Sequence, residues 1–353
     1  MPVNKANERT STMGKSVRLA DIAAELGVSI VTVSKALSGQ KGVGEELRQK
    51  IIALADEMGY KLPSSDSSSR STKTQEGYTL GVIIHEKYLD SRDSFYIKLY
   101  QEIVTKAISL GTFVSLQVIS EVMEESLEIA NITKGVSFDG LIILGRFNNE
   151  YYEKLVSSYD IPMINTDFYS ESVNPDSVIS DNFYGAYRIT NYLFEKGHTK
   201  IAYVGSINET DSIMDRFMGY SKSILQHGCT VREDWIIPDW DKEGMHRLQE
   251  FDLPEEMPTA FFCNNDMVAG NLINQLESMG LSIPEDISVV GYDNFIYTGI
   301  CDVEITTYEV DLKEMAHKSV NGLIKKIQGD GYRPGMRIVQ GRLVEKDSVR
   351  KID

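Results

Sequence analysis

Apolar positions recur along this chain with two different periods. Between residues 19 and 26 they fall at i, i+3, i+4 and i+7, as Leu19, Ile22, Ala23 and Leu26, which is one face of an α-helix, while Asp21 and Glu25 point away. Gly27 can take the left-handed conformation that closes a helix, and Ser29 can accept a hydrogen bond from the free amides of the next one. In that next helix Val33, Ala36 and Leu37 share a face, which leaves Val31, Ser34 and Lys35 on the opposite side. A third helix is predicted from Glu45 and Glu46 at its N-terminus, through the stripe Leu47, Ile51, Leu54 and Met58, to a stop at Gly59. Three such helices close a small core. Spacing alone fits a generic three-helix bundle as well as a pair of helices joined by a tight turn, the layout that places one helix in a DNA major groove.

Beyond Tyr60 the chain reads KLPSSDSSSRSTKTQEG, a serine-rich polar stretch without apolar periodicity, and so a linker. From Tyr78 onward the pattern changes. TLGVIIH, TFVSLQV, DGLIILG, IPMINTD, KIAYVG, TAFFC and ISVVGYD are nearly continuous apolar runs, as strands of a parallel sheet covered on both faces must be. Helical patterns such as Phe95 to Leu110 and Phe183 to Lys196 alternate with them. The expected fold class is α/β: a small all-α head at 1–62, a linker at 63–77, and doubly wound parallel sheets over 78–353.

Composition narrows the function. With 353 residues, 42% hydrophobic and 25% charged, the chain is an ordinary globular protein of two or three domains. No run approaches the roughly 18 apolar residues of a membrane span, and MPVNKANERTSTMGKS lacks the apolar core of a signal peptide, so a cytoplasmic protein with no membrane partner is expected. Met13 is a second candidate start, because no pattern precedes it. Cys229, Cys263 and Cys301 are odd in number and widely spaced, and read as buried thiols. The five histidines are scattered, so no metal site is expected, and no cofactor either. Neither a G-x-G-x-x-G after the first strand nor a G-x-x-x-x-G-K-[ST] loop occurs, which argues against a dehydrogenase or kinase and against an enzyme altogether.

Net charge is −16, but it is unevenly spread. Residues 1–62 hold nine Lys and Arg against seven Asp and Glu, a balance of +2, leaving −18 for the rest. An acidic body is repelled by phosphate, and so weakly basic a head binds poorly alone; two heads on one DNA site would compensate.

In doubly wound sheets ligands bind beyond the carboxyl ends of the strands, so the polar residues there are the candidates. Asp93, Ser94 and Phe95 follow the first strand, and Asp167 with Phe168 follows IPMIN. Arg216 comes after KIAYVG and its loop, Asn264, Asn265 and Asp266 after TAFFC, and Asp293 with Asn294 ends ISVVGYD. Carboxylates, amides and a guanidinium beside an aromatic face suit a sugar, whose hydroxyls donate and accept while its C–H face is apolar. Asp266 also reads as a cap for the following helix, and Phe262, at a strand end, as plain core.

Residue identities add a resemblance. The Asp21 to Ala23 run, Gly27-Val28-Ser29, Thr32-Val33-Ser34 and Gly59-Tyr60 together closely resemble the DNA-binding headpiece of the lactose-repressor and galactose-repressor family of bacterial transcription regulators. The resemblance implies base reading by Ile30, Val31 and Lys35, with Leu19 at a further DNA-contacting position. Lys35 can donate to guanine O6 and N7, and Ile30 and Val31 can touch a thymine methyl; Ser29, Thr32 and Ser34 suit phosphate oxygens. Leu19 and Ile30 read equally well as core.

The part from residue 78 to the end is similar to the same family's effector domain, with DRFMGY, FFCNND and Gly291-Tyr292-Asp293 as the strongest matches. That implies effector contacts from Arg216, Phe262 and Asp293, supported by Asn265 and Asp167. It also implies a two-lobed clamp crossed three times by the chain, near Ser180, Thr306 and Ile327, giving an N-lobe of 78–180 and 307–326 and a C-lobe of 181–306 and 327–353. The partners implied are an operator in double-stranded DNA, a small-molecule effector, expected to be a sugar, and a second copy in a homodimer, since no C-terminal leucine heptads follow. One departure stands out: Ser69 occupies the place of the leucine that relatives wedge into the minor groove, which favours a flexible tether over a hinge helix. Rival readings are a purine or protein co-regulator in place of the sugar, and a sugar-uptake protein without a DNA role.

Overall fold

The structure, a computed structural model, describes residues 19–37, 43–58, 77–89, 94–129, 137–170, 176–241, 249–295, 300–329 and 331–353. The linker expected at 63–77 falls outside this set except for Gly77, as do Gly59, Tyr60, Ser69 and Asp93. The side chains of Leu19, Ile30, Val31 and Ser34 fall outside it too, although their backbones are helical. The chain divides into two units, Met1–Thr74 and Gln75–Asp353.

The first unit holds α1 (Leu19–Leu26), α2 (Ile30–Leu37) and α3 (Glu45–Glu57). Its core is six buried residues, Ile22, Ala23, Val33, Ala36, Ile51 and Ala55, flanked by half-buried Leu26, Val28, Leu37, Leu47, Leu54 and Met58. Small residues at Ala23, Ala36 and Ala55 let the three short helices approach closely. On α3 the innermost residues are Ile51 and Ala55, so the stripe expected through Leu47 and Leu54 forms its margins. Arg48 Nη1 donates to the Ala36 carbonyl at 3.2 Å, placing a cation at the C-terminal end of α2, where free carbonyls favour it.

The second unit is two sheets and their helices. Along the chain run β1 (Thr79–His85), α4 (Phe95–Ser109), β2 (Phe113–Ile119), α5 (Glu121–Glu125), β3 (Gly140–Leu144), α6 (Asn149–Ser158), β4 (Met163–Thr166) and β5 (Ser177–Ser180). Then follow α7 (Asn182–Glu195), β6 (Ile201–Val204), α8 (Asp211–Gln226), β7 (Ile236–Ile237), β8 (Ala260–Cys263), α9 (Asp266–Ser278), β9 (Ser288–Asp293) and β10 (Thr306–Glu309). The chain ends with α10 (Leu312–Gln328), β11 (Met336–Val339) and β12 (Arg342–Val344).

The strand orders are β11-β5-β4-β3-β1-β2 and β12-β10-β9-β8-β6-β7. Read position by position they are the same order, so the unit consists of two lobes of one topology. All pairings are parallel except β10 with β12. Buried strands such as Leu141 to Leu144 and Ile201 to Val204 are apolar throughout because helices cover both faces.

The crossings differ from expectation in two places. The first falls after Ser180, where α7 leaves to pack on α8. The second lies between Val310 and Asp311 and not at Thr306, because Thr306–Glu309 is itself a strand paired with β9. The third lies between Val339 and Arg342 and not at Ile327: Met336–Val339 pairs with Ser177–Ser180, so α10 and β11 both remain with the first lobe. Buried Asp176 anchors that end, accepting from Lys326 Nζ at 2.5 Å and from the Gly335 amide at 2.9 Å.

The Gly197-His198 turn is structural. A Cβ on Gly197 (φ 94°) would meet the Ile352 carbonyl at 2.2 Å, and buried His198 gives its Nε2 proton to the Arg350 carbonyl at 3.1 Å, as a carbonyl can only accept. Of the cysteines, Cys263 is buried, while Cys229 and Cys301 are half-buried, so only the first is the interior thiol expected of all three.

Candidate DNA-reading head and interlobe cleft

In the head, Gly27 has φ 63° and the Val28 amide returns to the Ala23 carbonyl at 3.0 Å, a left-handed closure that ends α1 and points the chain into α2. Ser29 caps α2: its Oγ accepts from the Thr32 amide at 3.1 Å and shares a hydrogen bond of 2.8 Å with Thr32 Oγ1. Two hydroxyls sharing one bond retain one proton for an outside acceptor, such as a phosphate oxygen. Lys35 is exposed while Val33 and Ala36 are buried, so the helix phase separates a packing face from a presenting face.

In the second unit the predicted residues divide into two groups. Asp167, Arg216 and Asp293 come together. Arg216, buried on α8, spends its nitrogens on three acceptors: Nε on Asn182 Oδ1 at 2.9 Å, Nη1 on the Asn264 carbonyl at 2.6 Å, and Nη2 on Asp293 Oδ1 at 3.2 Å. Its guanidinium carbon stands 4.0 Å from the centroid of the Tyr292 ring. From the other lobe Asp167, which directly follows β4, is held by Tyr96, whose hydroxyl donates to Oδ2 at 2.8 Å; Oδ1 is buried and has no hydrogen-bond donor. Burial, opposed by Tyr96 and the charge of Arg216, raises the Asp167 carboxyl to about 6, and Asp293 adds to the rise. Burial and the same carboxylate push the Tyr96 phenol well above its usual range, so it stays a donor.

Both aspartates carry positive φ, 67° at Asp167 and 96° at Asp293, and Asn294 follows at 51°. Such strain in residues with a Cβ collects where a side chain must be aimed at a site.

The second group packs or caps. Ser94 Oγ donates to the Tyr88 carbonyl at 2.6 Å and accepts from the Tyr96 amide at 3.2 Å, capping α4. Phe95 packs edge-on against Tyr96 at 5.3 Å within the core. Phe262 is fully buried between Tyr203 and Tyr292, at 5.4 and 6.5 Å, because alternate residues of β8 face opposite helix layers. Asn265, expected at the ligand, is the cap of α9, accepting from the Val268 amide at 2.9 Å. Asp266, read as that cap, is instead the first residue of the helix and accepts from the Phe295 amide at 2.8 Å. Its Oδ1 is so close to Gly291 that a Cβ there would meet it at 2.0 Å.

Four residues the spacing did not mark complete the cleft: Tyr88, Tyr96, Arg146 and Asn182. Tyr88 lies 4.3 Å from Tyr96, ring to ring, and its hydroxyl donates to the Arg146 carbonyl at 2.8 Å. Gly145 (φ 76°) is required beneath it, since a Cβ would meet that ring at 2.6 Å. Arg146 reaches across to Asp211 of α8 at 3.2 Å, and Tyr169 reaches Asp215 at 3.5 Å. Beside these bridges lies a cavity of about 310 Å³ lined by Arg146, Phe168, Tyr169 and Asp211 among others. Among the described residues no cluster of metal-ligating side chains occurs, and no helix is long and apolar enough to cross a membrane.

A helix pair with a tight turn ahead of a two-lobed clamp defines a regulator with a DNA-reading head and a ligand-taking body. Comparison with known proteins agrees. Residues 18–63 match the pattern of bacterial regulatory proteins of the lacI family, and residues 190–349 match the periplasmic binding protein-like domain. The chain is 27% identical over 352 residues to the HTH-type transcriptional repressor CytR of Escherichia coli (strain K12), covering 99% of each protein. It is 26% identical over 343 residues to the repressor PurR of Vibrio campbellii (strain ATCC BAA-1116), covering 95% of this chain and 99% of that one. In fold it resembles the lac repressor dimer bound to operator and the anti-inducer ONPF, with TM-score 0.63 and 22% identity, covering 95% of this chain and 100% of that one. The chain thus carries a lacI-family DNA-binding region and a periplasmic binding protein-like domain, and is a DNA-binding transcriptional regulator controlled by a small-molecule effector.

Proposed function

We propose that the protein is a homodimeric cytoplasmic repressor, a binding protein and not a catalyst, whose hold on a double-stranded operator is set by a small polyhydroxylated ligand, a sugar, closed between the lobes. The observation that carries this reading is the meeting of Asp167 and Asp293, one from each lobe, with Arg216 between them in charge: a ligand bonded to both aspartates ties the lobes together. Buried Asp167 Oδ1 without a donor calls for a hydroxyl or amine, and the Tyr88 and Tyr96 rings offer an apolar wall for a sugar's C–H face.

In the head, Lys35 with Val31 reads base edges, Ser29, Thr32 and Ser34 hold phosphates, and Leu19 and Ile30 support the recognition helix. The dimer forms along the edge strand β2 and the end of α4, where Phe113, Val118, Ile108, Leu110 and Val122 are exposed together with the unpaired edge of a sheet. Pairing places two weakly basic heads on one operator, as the charge distribution requires.

The test is operator binding by the full chain with and without sugars, for wild type and Asp293→Asn. The expected outcome is that operator affinity of the variant stays within about threefold of wild type while its ligand response disappears, a loss of coupling of about 1 to 3 kcal/mol. An Asp293→Asn protein that still responds to ligand, or that no longer binds the operator, contradicts this assignment.

A further inference from the structure

We infer that the cleft admits uncharged ligands and excludes phosphate esters and other anions, with Asp167 as the residue that sets this selectivity. The inference rests on the polyol reading above and narrows it.

Asp293 lies within electrostatic reach of both Asp167 and Asp266, and burial raises the Asp266 carboxyl well above its usual range, so the negative charge facing Arg216 comes from Asp167 and Asp293. The guanidinium that faces Asp167 and Asp293 is Arg216, and it is already committed. Three of its five N–H groups face protein acceptors, and its charge is paired with Asp293. An anion entering here finds no net positive charge, because the guanidinium is paired with Asp293 and also faces Asp167, and a phosphate site must supply that charge.

The next cation, Arg146, is held by Asp211, with Asp215 one helical turn further along α8. Two carboxyls thus stand against one cation at this end of the cleft, and Asp211 and burial both raise Asp215. Lys346 is felt by Asp266, and its Nζ is bonded to Asn294 Oδ1 at 2.9 Å.

From the N-lobe the cleft offers an acceptor: Asp167 Oδ1 is buried and outside any hydrogen bond. The phenol that could have served an anion, Tyr96, gives its proton to Asp167. A vacant buried acceptor beside a cation whose charge is already paired describes a pocket for a molecule that brings its own hydroxyl or amine protons. Like charges in a closed site repel an ester by far more than its added contacts return.

The experiment is isothermal titration of the full-length protein with matched pairs: glucose and glucose 6-phosphate, ribose and ribose 5-phosphate, cytidine and cytidine monophosphate. The expected result is that binders come from the unphosphorylated half, each ester weaker than its parent by about 100-fold or more. In Asp167→Asn the parent binds more weakly, having lost a charged acceptor, while the ester penalty, the ratio of the two affinities, falls by about tenfold. An ester that binds as tightly as its parent, or tighter, overturns the inference and leaves the polyol reading standing. A penalty unchanged in Asp167→Asn overturns the role given to Asp167. Absence of binding in both halves overturns the polyol reading itself, and this inference with it.

Discussion

The two lobes are built on one strand order, and their ligand-facing carboxylates occupy the same place in it, yet each aspartate is supported by a different partner. Asp167 follows β4 and Asp293 ends β9, the equivalent strands of the two sheets, and each is aimed by a positive φ. The helix after the first strand supplies the support in both cases. In the C-lobe that is Arg216 of α8, a full positive charge 3.2 Å from its carboxylate; in the N-lobe it is Tyr96 of α4, a neutral hydroxyl at 2.8 Å. One carboxylate is therefore neutralised and the other is left electrostatically exposed inside the protein. A repeated topology has been made into a cleft with one stable wall and one wall that awaits a ligand.

Removing the strong support should cost most. Arg216→Ala strands Asn182 Oδ1, the Asn264 carbonyl and Asp293 together in a buried site, and breaking such a pair from one side costs about 3 to 5 kcal/mol. Urea denaturation followed by tryptophan fluorescence reports this directly, since Trp235 and Trp240 both lie in the C-lobe. A loss under about 1 kcal/mol would mean that Arg216 does not hold the C-lobe wall.

The strand-end rule pointed to both halves of this comparison, because Asp167 and Asp293 each follow a long apolar run. The five strands that escaped, β5, β7, β10, β11 and β12, are short and mixed: SVIS and TTYE are half hydroxyl, and Ile236–Ile237 is only two residues. Their stability comes from pairing with a neighbour already in place, which no local pattern records, and the two misplaced crossings follow from missing β10 and β11. Tyr96 was hidden for a related reason. The place after the first strand pointed to Phe95, which is core, while whether the next residue faces solvent or a second lobe depends on a crossing far along the chain. The cap of α9 was read one residue late, because the start of the helix had to be known within one residue to tell a cap from a first-turn carboxylate.

The weak wall predicts a gain. Asp167 ionises in the folded protein at about 6 instead of 3.8, so the native state holds its proton more tightly than the unfolded chain and stability falls as pH rises through that window. Asp167→Asn keeps the shape and abolishes the titration. At pH 8 the variant should therefore be more stable than wild type by about 2 to 3 kcal/mol, and at pH 4 the difference should shrink toward zero. Urea midpoints of both proteins across that range check it. A gain of equal size at every pH would assign it to packing and not to the buried charge.

Tyr96→Phe separates the two walls most finely, because it deletes one proton donor and no volume. With the carboxylate ionised at pH 8, loss of this bond should cost about 1 to 2 kcal/mol, and less at pH 4, where the neutral acid needs no donor. The same change should move the Asp167 titration further upward, since Tyr96 is the first of the influences that hold it down. The two variants thus act in opposite directions on stability through a single bond. In the double variant Tyr96→Phe/Asp167→Asn the pH-dependent part of the Tyr96 cost should vanish, because no ionised group remains for it to serve. If that dependence persists, Tyr96 supports something other than Asp167, and the N-lobe wall is not the ligand-awaiting counterpart of the Arg216 wall.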